Sequence, residues 1–509
     1  MQGMQVGDIP QEVHRVADAL AQAGFSAYLV GGCVRDLLMD RVPKDWDIAT
    51  SAKPEKIQKL FIDSVYENQF GTVCIKTESE DPALKIIEVT TFRLEGKYTD
   101  KRHPDEIKFA ETIEEDLGRR DFTVNAMALI VNHDNDNNDD KKMKSSVISH
   151  RHRARIIDPF HGEDDLRARV IRAVGNPDAR FTEDALRLLR AIRFSSQLNF
   201  SIEEKTASAI ARHANLLEFI SKERIRDEFA KLIMTDRAAD GVVMLERFGL
   251  LRFILPELEE GIGVGQNKHH IYTVFEHNLK SLAYAVAQHY SLEVRLASLF
   301  HDLGKPRSKR GEGPDCTFYG HQVVGERMVL KAMDRLRFPK DLTEHVALLV
   351  REHMFVYDPE VVTLAGVRRL VRRVGSENMD DLFRLREADR IGSGVPKAQP
   401  YRLRHLKAMV EKVQQDPISA KMLSLDGNDV MRIAGTPPGP KVGMLLAILL
   451  EEVLDKPELN DEAALKARIE GLNALAISEL AALAARAKQK AAAAQERIDD
   501  EIKKKFGVQ

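Results

Sequence analysis

Hydrophobic and polar residues follow one pattern in the first third of the chain and another in the rest. Apolar residues recur with helical spacing over residues 10–23, and short apolar runs typical of strands follow at 28–30, 71–75 and 85–93. From residue 166 onward, helical spacing prevails. The pattern therefore predicts an α/β head, a small mixed sheet with helices, followed by an all-α remainder.

The first strand of that head leads into a glycine turn and then a predicted helix. Gly31 and Gly32 follow the apolar run directly, and helical spacing begins at Val34. Adjacent glycines let a ligand approach the backbone where any Cβ would clash, and the N–H groups at the start of a helix are unpaired and electropositive. This succession therefore predicts a phosphate site.

Two carboxylates follow the turn in a predicted strand. Asp45 and Asp47 are two residues apart, so their side chains point to the same side of an extended strand. Such carboxylates repel each other unless a cation lies between them, and Mg²⁺ held by carboxylates and substrate phosphates fits the pair. Glu88, in a later predicted strand, is either a third ligand of this metal or a surface glutamate.

Composition sets the class of protein but not its partner. The 509 residues carry 76 basic and 79 acidic side chains, a formal charge of −3, so any nucleic-acid surface must be a local patch. The three cysteines form no metal spacing or disulfide framework. No apolar stretch approaches the roughly 20 residues that a membrane span needs, and the N-terminus lacks a signal-peptide pattern. We therefore expect a cytoplasmic protein with no membrane partner.

Two motifs carry a resemblance to a known family. Residues 31–36 read GGCVRD and residues 44–50 read KDWDIAT. Together they resemble the GGxVRD and KDxDIAT head motif of the class II nucleotidyltransferases, the tRNA CCA-adding enzymes and bacterial poly(A) polymerases. The resemblance implies an enzyme that adds nucleotides from CTP and ATP to the 3′ end of tRNA with release of pyrophosphate. Asp45 and Asp47 are implied to be its catalytic Mg²⁺ ligands.

The resemblance also implies a nucleotide site around the glycine turn. Residues 119–125 read RRDFTVN, which resembles the family segment that holds the ribose and triphosphate of the incoming nucleotide. Arginines suit phosphate oxygens, and aspartate or asparagine suits a sugar hydroxyl. The residues implied to hold phosphate or sugar are Gly31, Gly32, Arg35, Arg119, Asp121 and Asn125.

A later helix is predicted to select the base. Thr182 is a plausible N-cap, and the helix that it opens would place Asp184 and Arg187 on one face. These two residues are either a simple ion pair or, as the resemblance to an EDxxR motif implies, the readers of the Watson–Crick edge of CTP or ATP. Arg190, also placed in the nucleotide site, and Arg193 continue a basic stripe that is expected to face RNA backbone.

A second constellation lies downstream and centres on a His-Asp pair at residues 301–302, at the end of an apolar helix. With a histidine upstream and an aspartate downstream, it resembles the H…HD…D pattern of the HD phosphohydrolases. Imidazoles and carboxylates from different helices suit a transition metal such as Mn²⁺, Ni²⁺, Fe²⁺ or Zn²⁺. The implied metal ligands are His277, His301, Asp302 and Asp389. His321 and His353 are weaker candidates.

These segments predict four parts in chain order. They are a nucleotidyltransferase head at 10–165, a helical nucleotide-selecting neck at 166–265, an HD domain at 266–395 and a helical region at 396–509. The alanine-rich, basic end of the last part predicts a solvated terminal helix.

Three further segments bear on the substrate. Residues 93–104 match the loop pattern of CCA-adding enzymes, which CC-adding relatives shorten, so they argue against an enzyme that adds C alone. Residues 133–145 are low in complexity and predict a disordered insertion. The poly(A) polymerase branch carries a basic RFR element after the metal strand, and residues 67–73 read ENQFGTV instead, which favours tRNA.

The sequence leaves several alternatives open. Adding the whole CCA end, adding the terminal A alone and making poly(A) tails all stay possible. A rival of another class is a metal-dependent phosphodiesterase or phosphatase in which the HD domain is active and the head only binds tRNA. A homo-oligomer also stays open.

Overall fold

The computed structural model describes residues 9–66, 71–94, 108–130, 155–267, 271–414 and 423–508. The chain forms two compact units. The first comprises residues 1–351 and 392–394, and the second comprises residues 352–391 and 395–509. Most of the expected loop at 93–104 and all of the expected insertion at 133–145 lie outside the described residues, as do residues 67–70 of the ENQFGTV segment.

The strands of the described residues all lie in the first 202 positions of the chain. They are β1 Ala27–Val30, β2 Asp47–Thr50, β3 Ser64–Tyr66, β4 Thr72–Lys76, β5 Ile86–Thr91, β6 Arg93–Leu94, β7 Lys108–Phe109, β8 Ala128–Ile130, β9 Arg155–Ile157, β10 Val170–Ile171 and β11 Ser201–Ile202. Of these, seven form one sheet in the order β3-β4-β5-β2-β1-β8-β9. In this sheet β2 and β5 are parallel, and all the other neighbouring strands are antiparallel. The predicted small mixed sheet is therefore confirmed.

Helices accompany the sheet and then replace it. Up to residue 352 they are α1 Gln11–Gln22, α2 Gly32–Leu38, α3 Pro54–Leu60, α4 Ile113–Gly118, α5 Gly162–Ala168, α6 Pro177–Glu183, α7 Leu186–Leu198, α8 Glu204–His213, α9 Lys222–Ile233, α10 Ala238–Arg247, α11 Leu251–Ile254, α12 Pro256–Glu259, α13 Val274–Ala287, α14 Leu292–Phe300, α15 Lys305–Ser308, α16 His321–Arg335 and α17 Lys340–Glu352. The predicted helical remainder is thus confirmed as mostly helical, but the short parallel strands β10 and β11 lie within it.

The rest of the chain continues in helices. They are α18 Leu364–Val374, α19 Met379–Gly392, α20 Tyr401–Gln414, α21 Gly427–Ala434, α22 Pro440–Asp455, α23 Glu462–Asn473 and α24 Ile477–Phe506. Leucine and isoleucine side chains of α22 and α23 form a core with α24, in which Leu445, Leu449 and Ile469 are buried. Among the described residues, no helix combines the length and apolarity needed to cross a membrane.

One helix boundary differs from the prediction. Thr182 does not open a helix. It lies inside α6, where its hydroxyl donates to the Asp178 carbonyl at 2.7 Å. Asn176 is the N-cap of α6, since its side-chain oxygen accepts from the Asp178 N–H, and Pro177 follows as the first helical residue. The helix that carries Arg187 is α7, which begins at Leu186 after the N-cap Ala185.

Candidate active site

The glycine turn and the two aspartates meet at the end of β1. Gly31 has a φ of 77° and precedes α2. A Cβ at Gly31 would lie 2.8 Å from Nη1 of Arg120 and 3.5 Å from Oδ2 of Asp47, and one at Gly32 would lie 4.0 Å from Oδ1 of Asp45. The turn needs glycine because of both its positive φ and the close approach of these side chains. Four predicted site residues therefore lie together.

The sheet register adds a third carboxylate. Asp47 of β2 is paired with Glu88 of the parallel neighbour β5. Paired residues of adjacent strands place their side chains on the same face of a sheet. Of the two alternatives left open by the sequence, the register favours Glu88 as a member of the acidic cluster.

The charges of this cluster are not balanced. Burial, with smaller contributions from the carboxylates of Glu88 and Asp45, raises the pKa of Asp47 from 3.8 to about 7, although Arg120 acts in the opposite direction. A carboxylate that is partly removed from water and has like charges nearby is stabilised by protonation or by a bound cation. The donor set consists of oxygens, which Mg²⁺ prefers, and Asp45, Asp47 and Glu88 fit such an ion.

Arg120, rather than its neighbour Arg119, approaches the turn. Arg119 donates to Oδ1 of Asp116 from Nε and Nη2, at 2.9 and 2.8 Å. Arg120 donates to Oδ2 of the same buried carboxylate at 3.3 Å, and its Nη1 faces Gly31. Burial would raise the pKa of Asp116, but the two guanidiniums lower it below its usual value. Both arginines belong to the RRDFTVN segment, and the sequence alone cannot tell which of them approaches the turn, because that depends on the position of Asp116.

Four other predicted residues form a hydrogen-bonded chain. Arg35 donates from Nη1 to Asn125 Oδ1 at 2.7 Å and from Nε to Asp36 at 2.9 Å. Asn125 donates to Oδ1 of Asp121 at 3.3 Å, and Arg190 donates to Oδ2 of Asp121 at 2.6 Å. The structure therefore brings these four residues together, and their side chains form hydrogen bonds with one another. Their contact with a nucleotide stays a prediction.

The predicted RNA-facing stripe is wrong for Arg193. Its side chain is buried, donates to Oε2 of Glu228 at 2.6 Å and lies 4.0 Å from the ring centroid of Phe194. Arg190 lies over the same ring at 5.2 Å. Glu228 lies on α9, and its carboxylate holds the Arg193 side chain in the interior. Because Glu228 is 35 residues away along the chain, the sequence around Arg193 gives no sign of this pairing.

Asp184 and Arg187 do not lie on one helix face. Asp184 has extended backbone between α6 and α7, and its Oδ1 accepts from the Leu186 N–H at 3.0 Å. Its Oδ2 accepts from Nη2 of Arg224 at 2.6 Å. Arg187 is buried and donates to Oε2 of Glu183 at 2.7 Å. Each predicted base reader is thus held by a partner of opposite charge, Asp184 by Arg224 and Arg187 by Glu183.

The histidine cluster lies in the helical part of the first unit. Nε2 of His277 and Nε2 of His301 are 2.8 Å apart, and both side chains are fully buried. Nδ1 of His301 is 2.9 Å from the Ser298 carbonyl oxygen, which can only accept, so the proton of a neutral ring sits on Nδ1. The His301 Nε2 lone pair then points at the second imidazole. Either that imidazole donates to it, or both face a shared cation.

Asp302 and His321 complete this cluster. Oδ2 of Asp302 is 3.2 Å from Nε2 of His277, and Oδ1 is 3.3 Å from Nε2 of His321. Lys305 lies 2.6 Å from Oδ2 of Asp302 and donates to Gln266 at 2.7 Å. Burial opposes ionisation of Asp302, but chiefly Lys305 lowers its pKa well below the usual value. Lys305 was not among the predicted site residues, although its position three residues after Asp302 is a sequence signal for an ion pair.

Two further candidate ligands belong to the second unit. Asp389 lies on α19, is largely buried and accepts from Nη1 of Arg386 at 2.5 Å. His353, which follows α17, is buried as well. Their part in a metal site stays a prediction.

Three family models match the chain in succession. The poly A polymerase head domain matches residues 27–172, the probable RNA and SrmB-binding site of polymerase A matches 199–262, and the HD domain matches 274–392. The chain therefore carries, in this order, segments that match a polymerase head domain, a probable RNA-binding site and an HD domain, the last of which is helical here.

Curated relatives of the chain include CCA-adding enzymes. One from Lactobacillus delbrueckii subsp. bulgaricus is 44% identical over 235 residues, which are 46% of this chain and 53% of the relative. Another from Enterococcus faecalis is 42% identical over 265 residues, 51% of this chain and 59% of the relative. The chain thus spans little more than half the length of these relatives.

Solved structures resemble a larger part of the fold. The Bacillus stearothermophilus CCA-adding enzyme in complex with CTP has a TM-score of 0.56 and 28% identity, covering 91% of this chain and 97% of that one. The Thermotoga maritima CCA-adding enzyme complexed with tRNA has a TM-score of 0.52 and 18% identity, covering 92% and 97%. The second likeness supports the fold alone.

Proposed function

We propose that this chain, with the head and RNA-binding segment of the poly A polymerases and an HD domain, is a tRNA nucleotidyltransferase that acts in the cytoplasm. The observation that carries the proposal is the cluster of Asp45, Asp47 and Glu88 beside the turn at Gly31 and Gly32. The likeness to CCA-adding enzymes supports CTP, ATP and tRNA as its substrates.

In the proposed reaction, the 3′ hydroxyl of tRNA attacks the α-phosphate of CTP or ATP. A phosphodiester bond forms, the bond to the β-phosphate breaks and pyrophosphate leaves. Mg²⁺ held by Asp45 and Asp47 would supply charge neutralisation to the triphosphate and acidify the attacking hydroxyl. Gly31 and Gly32 leave room for phosphate at the backbone, and Arg120 presents a guanidinium at the same place.

The base-selecting part of the proposal rests on Asp184 and Arg187. A carboxylate accepts from a base amino group and a guanidinium donates to a ring nitrogen or carbonyl, so one of each can read a Watson–Crick edge without a template. Arg224 and Glu183 hold these side chains by hydrogen bonds of 2.6 and 2.7 Å. Fixed donors and acceptors favour C and A over bases with other edges.

The test is nucleotide incorporation on three tRNA transcripts that end at the discriminator base, after C and after CC. Each is incubated with CTP, with ATP and with both. Growth of all three to a CCA end identifies a complete CCA-adding enzyme, and growth of the CC-ended transcript alone identifies an A-adding enzyme. Unlimited A addition to unrelated RNA identifies a poly(A) polymerase, and no incorporation contradicts the proposal.

The facing imidazoles favour a second activity, a metal-dependent phosphohydrolase in the HD domain. His277, His301 and Asp302 would hold a transition metal such as Mn²⁺, Ni²⁺, Fe²⁺ or Zn²⁺, since neutral imidazoles and a carboxylate suit these ions. We expect phosphate release from phosphoesters to survive Asp47→Ala and to be lost with His301→Ala. Loss of bound metal in His301→Ala, measured by elemental analysis, separates the metal site from the activity.

A further inference from the structure

A charged helix surface lies in the second unit, outside both sites. Helix α18 buries Val367, Leu370 and Val374, so its apolar face is already packed in the core of this unit. Its outer face carries four exposed arginines at positions 368, 369, 372 and 373. The helix is thus strongly two-sided, and the solvent side is entirely cationic at these positions.

Three of these four arginines have no acidic partner among the residues that the structure describes. Arg373 pairs with Glu352 at 2.9 Å. Arg368, Arg369 and Arg372, which we call the arginine stripe, make no hydrogen bond or ion pair within the described residues of the chain. Most other arginines of the unit are engaged, in the pairs Arg384–Asp381, Arg386–Asp389, Arg402–Asp358, Arg432–Asp429 and Arg468–Glu452.

The arrangement of the stripe is unfavourable unless an anion binds it. Arg368 and Arg372 are four residues apart, and like charges at this spacing repel on a helix. Arg369 and Arg373 repeat the same spacing, although Glu352 compensates Arg373. A bound polyanion removes this repulsion and uses all three free guanidiniums.

We propose that the arginine stripe binds the phosphodiester backbone of the RNA substrate, an inference that rests on the proposed function. Arg368 and Arg372 are about 6 Å apart along the helix axis, so they can contact neighbouring phosphates of one strand. Guanidinium forks match phosphate oxygens, and contacts to backbone bind RNA regardless of sequence. A membrane surface is disfavoured because the apolar face of α18 is buried in its own unit.

The test compares three full-length proteins for binding to a tRNA transcript that ends in CC. The stripe variant is Arg368→Gln/Arg369→Gln/Arg372→Gln. The charge-matched control is Arg486→Gln/Lys488→Gln/Arg497→Gln, which removes three exposed cations from α24 of the same unit. Binding is measured between 50 and 200 mM salt, and circular dichroism verifies that both variants are folded.

We expect the stripe variant to lose about 2–3 units of the slope of log affinity against log salt, since each phosphate contact contributes about 0.7–0.9. Wild-type affinity then falls about 20- to 40-fold more than that of the variant across this range. The control keeps the wild-type slope. An unchanged slope in the stripe variant, an equal loss in the control, or stripe-dependent binding to anionic lipid vesicles instead of tRNA overturns the inference.

Nucleotide addition separates this inference from the proposed function. We expect the stripe variant to keep kcat at saturating tRNA while its KM for tRNA rises about tenfold or more. If the wild-type protein binds tRNA through the stripe but adds no nucleotide, this inference holds and the proposed function is overturned. If nucleotide addition is normal and the KM for tRNA does not depend on the stripe, the proposed function holds and this inference is overturned.

Discussion

The head site and the histidine cluster both gather ionisable groups, yet they balance charge in opposite ways. Burial and the neighbours Glu88 and Asp45 raise the pKa of Asp47 to about 7. Burial acts in the same direction on Asp302, but Lys305 at 2.6 Å reverses it and lowers the pKa well below its usual value. The head site therefore needs a cation from outside, whereas the histidine cluster contains one of its own.

This difference separates two kinds of acidic site. Asp45 and Asp47 lie beside a glycine turn that leaves room for phosphate, so a cation and a triphosphate can enter together. A metal that enters the histidine cluster must share Asp302 with Lys305, and its other ligands there are imidazoles. Hard oxygen chemistry is thus expected in the head, and a softer transition metal in the cluster.

The largest expected effect comes from removing one head carboxylate. Asp47→Asn keeps the shape of the side chain but removes a charge that the external cation needs, so several kcal/mol of transition-state stabilisation are lost. We expect nucleotide addition to fall by at least about 10³-fold while tRNA affinity changes little. Single-turnover incorporation of AMP into a CC-ended transcript measures the change.

Glu55→Gln is the matched control for that variant, because Glu55 is an exposed carboxylate on α3 of the same head. It is expected to keep wild-type activity. Near-normal nucleotide addition by Asp47→Asn contradicts the assignment of the head site and, with it, the contrast drawn here.

The next effect tests the internal cation of the histidine cluster. Lys305→Met leaves the buried Asp302 without its ammonium partner. We therefore expect the free energy of unfolding of the unit that contains this cluster to fall by about 3–5 kcal/mol in the presence of a chelator. Added Mn²⁺ is expected to restore part of the loss by replacing the missing charge. Urea unfolding followed by fluorescence measures both.

Lys331→Met on the exposed face of α16 is the control and is expected to change stability by less than about 0.5 kcal/mol. If Lys305→Met is equally mild, then Lys305 does not balance Asp302, and the two sites differ less than the geometry indicates. Nucleotide addition should be normal in both variants.

The sequence predicted the parts of these sites that are local. Gly31, Gly32, Asp45 and Asp47 fall within 17 residues, and the consecutive elements β1, α2 and β2 bring them together. Glu88 needed the strand register, which only the folded sheet defines. Long-range pairing explains why the remaining details were beyond the sequence.

Two corrections show how distant partners decide local roles. The burial of Arg193 follows from Glu228 on α9, and the inward turn of that side chain removes it from the expected RNA surface. Asp184 was expected within a helix, but it ends α6 and caps the N-terminus of α7 through the Leu186 N–H. In each case a carboxylate accepts a hydrogen bond from a donor, the Arg193 guanidinium or the Leu186 N–H. The spacing of residues along the chain does not reveal which donor a carboxylate will bind.

A smaller effect is expected from pH in the metal-free protein. The folded-state pKa of Asp47, about 7, lies above its ordinary value of 3.8. The stability that this proton contributes is therefore full below about pH 4 and is lost as the pH rises through about 7. We expect wild-type protein in chelator to lose about 2–4 kcal/mol between pH 4 and 8 through this group.

Asp47→Asn should flatten that part of the pH profile, because an amide does not titrate. Mg²⁺ at pH 8 should stabilise the wild type and not the variant, since the ion takes the place of the proton. Thermal unfolding across the pH range measures both, and a wild-type profile identical to that of Asp47→Asn contradicts the unbalanced charge of the head site.

The smallest expected effect concerns Asp184, a carboxylate outside both the head site and the histidine cluster. Asp184, like Asp302, has a cation of its own, Arg224 at 2.6 Å, and in the proposed function it positions a base instead of holding a metal. Arg224→Gln removes a charge-assisted hydrogen bond, so we expect discrimination of ATP and CTP against GTP and UTP to fall about tenfold with little loss of total activity. Arg226→Gln on the same helix, which pairs with Asp227, is the control and should keep selectivity. Competition between nucleotides on CC-ended tRNA measures the ratio, and equal loss in both variants indicates that α9 supports the fold alone.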